Sequence, residues 1–181
     1  ASVITSLLNK ANQRIGEHVC EGRPTFHAAP ENIMAATAVI ALIEGDQALL
    51  ASMGDSRIYL IRDGHIATLM VDDDLATHLM QLGQTPSQAY QAPSSAALVN
   101  CVGEFKKSPE GALIPVPVHP QLTKLHLLPG DTLLLCSDGL PDYSGLDEED
   151  AEALMLKAVE GAFSAPKAAF DLIALANGGG G

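Results

Sequence analysis

The sequence predicts an α+β fold in which helices surround antiparallel strands. Three observations predict this class. A helical stripe of apolar residues opens the chain, short β-branched and apolar runs separated by turn signals follow, and two helical segments close it. The 181 residues, 47% of them hydrophobic, are enough for one domain spanning residues 1–181 with a sizeable core.

The first helix is predicted over residues 2 to about 19, where apolar residues recur at helical spacing. It begins with little room for a cap, so we expect the chain to start inside a larger domain. Gly22, Pro24 and Pro30 then mark residues 21–32 as a loop.

Four strands are predicted next, at residues 37–43, 47–53, 57–61 and 65–70. Asp63-Gly64 has the composition favoured for a tight hairpin turn. We therefore expect a meander of four antiparallel strands. Its second strand is apolar along most of its length, which predicts cover on both faces.

Beyond the meander, turn and cap signals place the remaining elements. Asp72-Asp73-Asp74 is expected at the start of a helix that Gly83 ends, and Thr85 with Pro86 opens another short helix. Polar loops are predicted at residues 91–95 and 104–111. Strands at 122–127 and 132–136 flank a turn at Pro129-Gly130-Asp131. Helices are predicted at residues 147–159 and 165–176, capped by Asp147 and Ser164, before a flexible glycine tail.

Charge and cysteine content exclude several classes of function. A net charge of -12 argues against nucleic acid and anionic membranes as partners, and phosphate chemistry would need bound cations. Three separated cysteines indicate neither a disulfide framework nor a zinc ribbon, so a reducing cytoplasmic setting is expected. No run approaches the roughly 20 apolar residues of a membrane helix, and no signal peptide is evident.

Two apolar runs each stop at an aspartate beside a glycine. One contains Gly54-Asp55, and the other ends in Asp138-Gly139. A buried strand that ends in this way delivers a carboxylate to a site at its end. Two such carboxylates, Asp55 and Asp138, indicate a metal site.

These two segments resemble the signatures of the metal-dependent Ser/Thr protein phosphatases of the 2C type, bacterial branch. Gly54-Asp55-Ser56-Arg57 with Arg62-Asp63-Gly64 resembles the central signature, and Leu135-Cys136-Ser137-Asp138-Gly139, followed by Asp142, resembles the second. Supporting matches follow in the family's order. They are Ala11-Asn12, Ala36-Thr37, Asp72 to Leu75 at the Asp-His-Ser position, Gly83 to Pro86, and Leu128 to Asp131.

The resemblance implies an α-β-β-α sandwich of two antiparallel sheets flanked by helices, with two or more Mn or Mg ions at one end. It implies hydrolysis of phosphoserine or phosphothreonine on proteins by a water or hydroxide that bridges the ions. The family's catalytic and metal-binding positions correspond to Asp138 and Asp55 in this sequence. Asp55 would bind an additional, more weakly held metal ion, or would support the site without binding metal. Asp72 is the third candidate metal ligand. Expected partners are a phosphorylated protein substrate and a Ser/Thr kinase or its targets.

Departures from the family pattern keep an alternative open. The Asp-Gly turn before the first helix and the Asp-Asn pair of the last strand are absent, so we expect a sandwich incomplete at both terminal strands. The His of Asp-His-Ser and the Gly of Gly-Thr-Thr are also replaced. The alternative is a pseudophosphatase or regulatory binding module with an incomplete metal site. Missing strands would expose sheet edges, and dimerisation or strand exchange is expected to cover them.

Each candidate residue also has a plainer interpretation. Asp138 is of the type that forms a turn before glycine, and Asp55 is able to hold the strand end by pairing with Arg57. The Asp72 to Asp74 run fits a solvated helix start, while Arg57 fits a structural role better than phosphate binding. Cys136 is predicted to be a buried thiol rather than a nucleophile. His78 is predicted to form a surface pair with Asp74, one helical turn away.

Overall fold

The computed structural model describes residues 2–20, 35–110, 113–142 and 148–179. The helices are α1 (Ser2–Cys20), α2 (Leu75–Gln81), α3 (Pro86–Tyr90), α4 (Glu148–Glu160) and α5 (Ala165–Gly179). The strands are β1 (Ala38–Glu44), β2 (Gln47–Met53), β3 (Arg57–Arg62), β4 (His65–Thr68), β5 (Phe105–Lys107), β6 (Leu113–Pro115), β7 (Gln121–His126) and β8 (Thr132–Cys136). The predicted loop at 21–32 and the Asp147 cap lie outside the described residues.

The strands form two antiparallel sheets of three, in the orders β1-β2-β7 and β4-β3-β8, and a small β5-β6 hairpin. The prediction of one four-stranded meander is wrong, because β2 and β3 do not pair. The chain leaves the first sheet at Gly54 and enters the second at Arg57. Because β7 and β8 also lie in different sheets, the chain crosses directly from one sheet to the other both between β2 and β3 and between β7 and β8.

Three apolar cores separate four layers, which confirms the α-β-β-α sandwich. Ile4 and Leu8 of α1 pack on the outer face of β1 and β2. Between the sheets, Leu50 of β2 meets Ile58 of β3. On the far side, Tyr59 of β3 packs with Met155 of α4 and Leu172 of α5. The side chains of β2 after Gln47 are buried or half-buried, as its apolar sequence predicts for a strand covered on both faces.

Helix α1 is also held by a buried polar side chain. Asn12 is fully buried, and its amide donates to the carbonyl oxygens of Val116 at 2.8 Å and Glu104 at 3.3 Å. Its side-chain oxygen accepts from the N–H of Gly103 at 2.6 Å. Because these partners satisfy the amide, its burial carries little of the usual cost of a buried polar group. Asn12 therefore fixes α1 against the segment that contains the β5-β6 hairpin.

Several local signals are confirmed at the residues that carry them. Asp63 and Gly64 both adopt positive φ in the β3-β4 turn. Asp74 caps α2 by accepting from the N–H of Thr77, and Thr85 forms a capping box with Gln88 at α3. Gly83 follows α2 with a φ of 94°.

Two loop predictions are wrong. Residues 105–107 of the predicted loop at 104–111 form β5, because they pair with β6 far along the chain. The first two glycines of the predicted tail, Gly178 and Gly179, continue α5, whose apolar face packs against the sheet, and the last two glycines lie outside the described residues. None of the helices in the described ranges is long and apolar enough to cross a membrane.

An ion pair ties the sheets together at the end of β3. Arg62 donates from Nε to Asp131 Oδ1 at 2.8 Å and from Nη2 to Asp131 Oδ2 at 2.6 Å. The same Nη2 donates to the carbonyl oxygen of His126, the last residue of β7. Only 4% of the Asp131 side chain is exposed, and it also accepts from the N–H of Leu128. These bonds, those from Arg62 above all, lower the pKa of Asp131 from 3.8 to about 2.

Replacing Asp131 with Asn is expected to lower the free energy of unfolding at pH 7 and to have little effect near pH 2. The native pKa of Asp131 lies below its unfolded value, so the carboxylate stabilises the fold above pH 4 or so, and this contribution disappears as the pH falls through about 2. Urea unfolding of both proteins between pH 7 and 2 measures the difference. Asp46→Asn, at an exposed carboxylate of the β1-β2 turn, is the control. A difference that stays constant over this pH range contradicts the prediction.

Candidate metal centre and active site

The crossing from β2 to β3 presents Asp55 at one end of the sandwich. Gly54 makes this crossing with a φ of 86°, in the region that side chains rarely adopt. A Cβ atom at Gly54 would lie 2.5 Å from Cγ2 of Thr37, so there is no room for one. The Thr37 hydroxyl in turn lies 2.7 Å from the Ser56 hydroxyl. Glycine is therefore required both by the backbone and by the close approach of Thr37.

Asp138 reaches the same end of the sandwich from β8. The antiparallel register pairs Arg57 with Cys136 at the edge of the ladder. Asp55 lies two residues before Arg57, and Asp138 lies two residues after Cys136. The turn after β8 is closed by the N–H of Asp142, which donates to the carbonyl oxygen of Asp138 at 3.0 Å. Strand pairing thus delivers two carboxylates that are 83 positions apart in the sequence.

Both aspartates line a cavity of about 400 Å³ that is rich in carboxylates. Its described lining residues are Asp55, Arg57, Asp72, Asp74, Tyr90, Ser95, Ala96, Asp138, Pro141 and Asp142. Burial and the nearby charge of Asp138 raise the pKa of Asp55, and Asp72 and Asp142 add to this effect. Such accumulated negative charge is what a bound cation would relieve.

The three aspartates of the Asp72 to Asp74 run have different partners. Asp72 binds Arg57 through a two-pronged ion pair. Asp73 accepts from Asn100 at 2.8 Å, from Gln121 at 2.9 Å and from the N–H of Gly54 at 3.3 Å. Asp74 caps α2. The run therefore links several segments beside the cavity. Asp74 confirms the expectation that the run caps the start of a helix.

The oxygen donors of the cavity fit a hard divalent cation such as Mn²⁺ or Mg²⁺. Across the described residues, however, no group of three or more histidine, cysteine, aspartate and glutamate side chains is placed to hold a metal ion. The hydrogen bonds of Asp72 and Asp74 explain part of this, since both carboxylates already have donors. Asp55 and Asp138 therefore fit such a cation as part of a ligand set.

Other predicted roles are resolved by the contacts. The plainer interpretation of Asp55 pairs it with Arg57, but the described contacts of Arg57 are with Asp72 and Asp142. Burial raises the pKa of Cys136 to about 11, as expected for a thiol that is not a nucleophile. His78 lies exposed on α2, outside the lining of the cavity.

Some residues of the site carry no local signal in the sequence. Asn100 and Gln121 meet Asp73 from distant segments, and Tyr90 and Ser95 reach the cavity from α3 and the residues after it. No periodicity or turn composition marks these residues, because their role depends on contacts between segments far apart in the chain.

Comparison with protein families places the chain among known sequences. A model described as protein phosphatase 2C matches residues 2–172. The serine/threonine protein phosphatase PstP of Mycobacterium tuberculosis is 35% identical over 149 residues, which are 82% of this chain and 26% of PstP. A putative protein phosphatase 2C-type of Streptococcus pyogenes is 36% identical over 110 residues, 60% of this chain and 40% of that protein.

Solved structures share the architecture. The serine/threonine phosphatase of S. agalactiae superimposes with a TM-score of 0.76 at 27% identity, over 98% of this chain and 64% of that one. The PstP/Ppp phosphatase of M. tuberculosis gives 0.69 at 30% identity, over 93% and 62%. The catalytic domain of PstP in complex with two manganese ions gives 0.60 at 25% identity, over 98% and 75%. The chain thus spans about a quarter of full-length PstP and under two thirds of the first two structures.

Proposed function

The chain belongs to the protein phosphatase 2C family, whose model matches residues 2–172, and from this membership we propose that it hydrolyses phosphoserine and phosphothreonine on proteins. The main support for this proposal is that the pairing of β3 with β8 places Asp55 and Asp138 in the lining of one acidic cavity. The relatives reported above are named as phosphatases, which favours an enzyme over the pseudophosphatase. We propose residues 1–181 as a single, partial domain of this family.

The carboxylates define what the cavity is able to bind. Five aspartates and one arginine line it, so a phosphate group is repelled unless cations are present. We propose that Asp138 and Asp55 hold Mn²⁺ or Mg²⁺, two or more ions in a complete domain, with Asp138 the stronger ligand. When bound, divalent cations neutralise phosphate charge and activate water. The manganese complex of the PstP catalytic domain supports this choice of metal.

Side chains in and beside the cavity support these two ligands. Asp73 fixes the Gly54 turn from which Asp55 extends. The Asp72 carboxylate, the third predicted ligand, is engaged by Arg57, and we propose that it reaches a cation only as a secondary ligand. Because Arg57 is itself bound by two carboxylates, it supports the site and does not bind the substrate phosphate.

The proposed activity also suggests where the protein acts and on which substrates. We propose that the protein acts in the cytoplasm on phosphoproteins produced by a Ser/Thr kinase, since its activity would remove what such a kinase adds. The acidic composition gives no reason to expect nucleic acid as a partner. Localisation of the tagged full-length protein tests this placement, and an extracytoplasmic location contradicts it.

The sheet edges support a dimer. Within the described residues, β1 and β8 each pair with a strand on one side only. Leu42 and Ile43 of β1 are more than half exposed, and unpaired edges of this kind favour pairing with another chain. We propose that two copies associate through these edges. Sedimentation of the chain at high concentration as a dimer supports this, and a monomeric mass contradicts it.

Replacing Asp138 with Asn is expected to abolish most manganese-dependent hydrolysis of a phosphothreonine peptide. Loss of a direct ligand should exceed the roughly 10–100-fold effect typical of outer-shell partners. Asp55→Asn should cause a smaller loss that higher manganese concentrations partly restore, because Asp55 is assigned the weaker contact.

Phosphate release by the 181-residue chain, and by a longer chain that contains it, measures both effects. Asp46→Asn is the matched control, because it removes an exposed carboxylate at the opposite end of β2. Equal activity of the Asp138 variant and this control would contradict the assignment of Asp138. Hydrolysis that is absent from every version would contradict the proposed function.

A further inference from the structure

Arg57 is the single basic residue among the described residues that line the acidic cavity. Its Nε atom lies 3.1 Å from both carboxylate oxygens of Asp72, and its Nη2 atom donates to Asp72 Oδ2 at 2.7 Å. Its Nη1 atom lies 3.4 Å from Asp142 Oδ1. Only 14% of the Arg57 side chain and 17% of the Asp72 side chain are exposed, so this ion pair is shielded from water, whereas the Asp142 side chain is 52% exposed.

These contacts join three segments that come from different parts of the chain. Arg57 begins β3 and lies two residues from Asp55. Asp72 precedes Asp73, whose N–H donates to the carbonyl oxygen of Gly54 at 3.0 Å. Asp142 lies in the turn that contains Asp138, and its N–H donates to the carbonyl oxygen of Asp138. The Arg57 guanidinium therefore contacts both the segment that is hydrogen-bonded to Gly54, next to Asp55, and the turn that contains Asp138.

We propose that Arg57 is a positioning residue, which fixes Asp55 and Asp138 for cation binding by holding residues 71–73 and the turn after β8 on either side of β3. The planar fork of arginine suits this task, because it binds one carboxylate with two donors while a third faces another. A lysine ammonium is a single point charge that does not reproduce this geometry. The metal-binding part of this role depends on the proposed function.

An effect of charge alone and a positioning role predict opposite changes in cation affinity when Arg57 is replaced. By Coulomb's law alone, removing a positive charge beside a cation site strengthens cation binding. If Arg57 positions the carboxylates, removing it weakens cation binding, although the cavity becomes more negative. Replacement by lysine separates the two effects further, because the charge is kept and the two-pronged geometry is lost.

The first measurement is manganese affinity, by calorimetric titration of the 181-residue chain. Arg57→Gln and Arg57→Lys are each expected to weaken Mn²⁺ binding by about 10–100-fold, the range typical of residues that orient metal ligands. The matched control is Arg62→Gln. Arg62 lies at the other end of β3 and makes an equivalent two-pronged ion pair with Asp131, so its loss should lower stability and leave Mn²⁺ affinity unchanged.

The second measurement is amide hydrogen exchange without metal, which reports position directly. In both Arg57 variants the amides of Asp73 and Asp142 are expected to exchange about tenfold faster or more, because the segments that bear them lose their shared anchor. In Arg62→Gln these two amides should keep their rates. The amide of Asp131, which donates to the carbonyl oxygen of Leu128, should instead exchange faster.

Several outcomes would overturn the positioning role. Tighter Mn²⁺ binding by Arg57→Gln, or unchanged binding by Arg57→Lys, would assign Arg57 an effect of charge alone. Unchanged exchange at Asp73 and Asp142 would show that Arg57 does not hold their segments. If the unsubstituted 181-residue chain binds no Mn²⁺, the cation site assigned to this chain is contradicted, and the exchange rates decide the positioning role by themselves.

Discussion

The antiparallel pairing of β3 with β8 determines where the two candidate ligands emerge from the fold. Its register sets Arg57 opposite Cys136, so the residues just beyond both strands emerge at the same end of the sandwich. Asp55 and Asp138 are therefore brought together by backbone hydrogen bonds rather than by their own interaction, which is repulsive. The apolar faces of the same two strands contribute to the cores on both sides of their sheet. Packing energy thus stabilises an arrangement that the charges alone would oppose.

The two ends of β3 illustrate how the fold divides its tasks. At the far end, Arg62 and Asp131 balance one positive against one negative charge, and Arg62 also donates to the carbonyl oxygen of His126 in the other sheet. At the cavity, Arg57 faces several carboxylates, and negative charge remains uncompensated. An excess of like charge costs stability in the absence of a ligand, and it is typical of sites built for cations. The same type of ion pair thus serves stability at one end and the organisation of a site at the other.

Much of the fold follows from local sequence signals. Helical periodicity predicts α1, α4 and α5, and turn composition predicts the ends of β2, β3, α2 and α3. Sheet membership is different, because hydrophobic pattern shows that a strand exists without showing its partner. The sequence between Met53 and Arg57 contains turn-forming residues, which a hairpin would also have. The strand pairing shows that the chain crosses between sheets here, and Thr37 and Asp73 pack against Gly54 at the crossing.

The residues of the site likewise fall into those that the sequence predicts and those that it does not. Asp55 and Asp138 are predictable because each follows an apolar run and adjoins a glycine. The separate tasks of Asp72, Asp73 and Asp74 are not predictable, since three identical residues in a row give no local basis for distinguishing them. Their tasks follow from Arg57, Asn100, Gln121 and Thr77, most of which are distant in sequence. The helical glycines after Asn177 show a similar limit, because composition favours a flexible tail while packing of α5 extends the helix.

We propose that Asp55 and Asp138 together hold a divalent cation in the cavity between α3 and the ends of β3 and β8. Anomalous diffraction from crystals of the chain grown with manganese tests this most directly, because it locates the ion without assumptions about activity. We expect an anomalous peak within coordinating distance of both carboxylates, and a weaker peak in crystals of Asp138→Asn. A peak elsewhere on the protein, or a cavity that stays empty at saturating manganese, would contradict it.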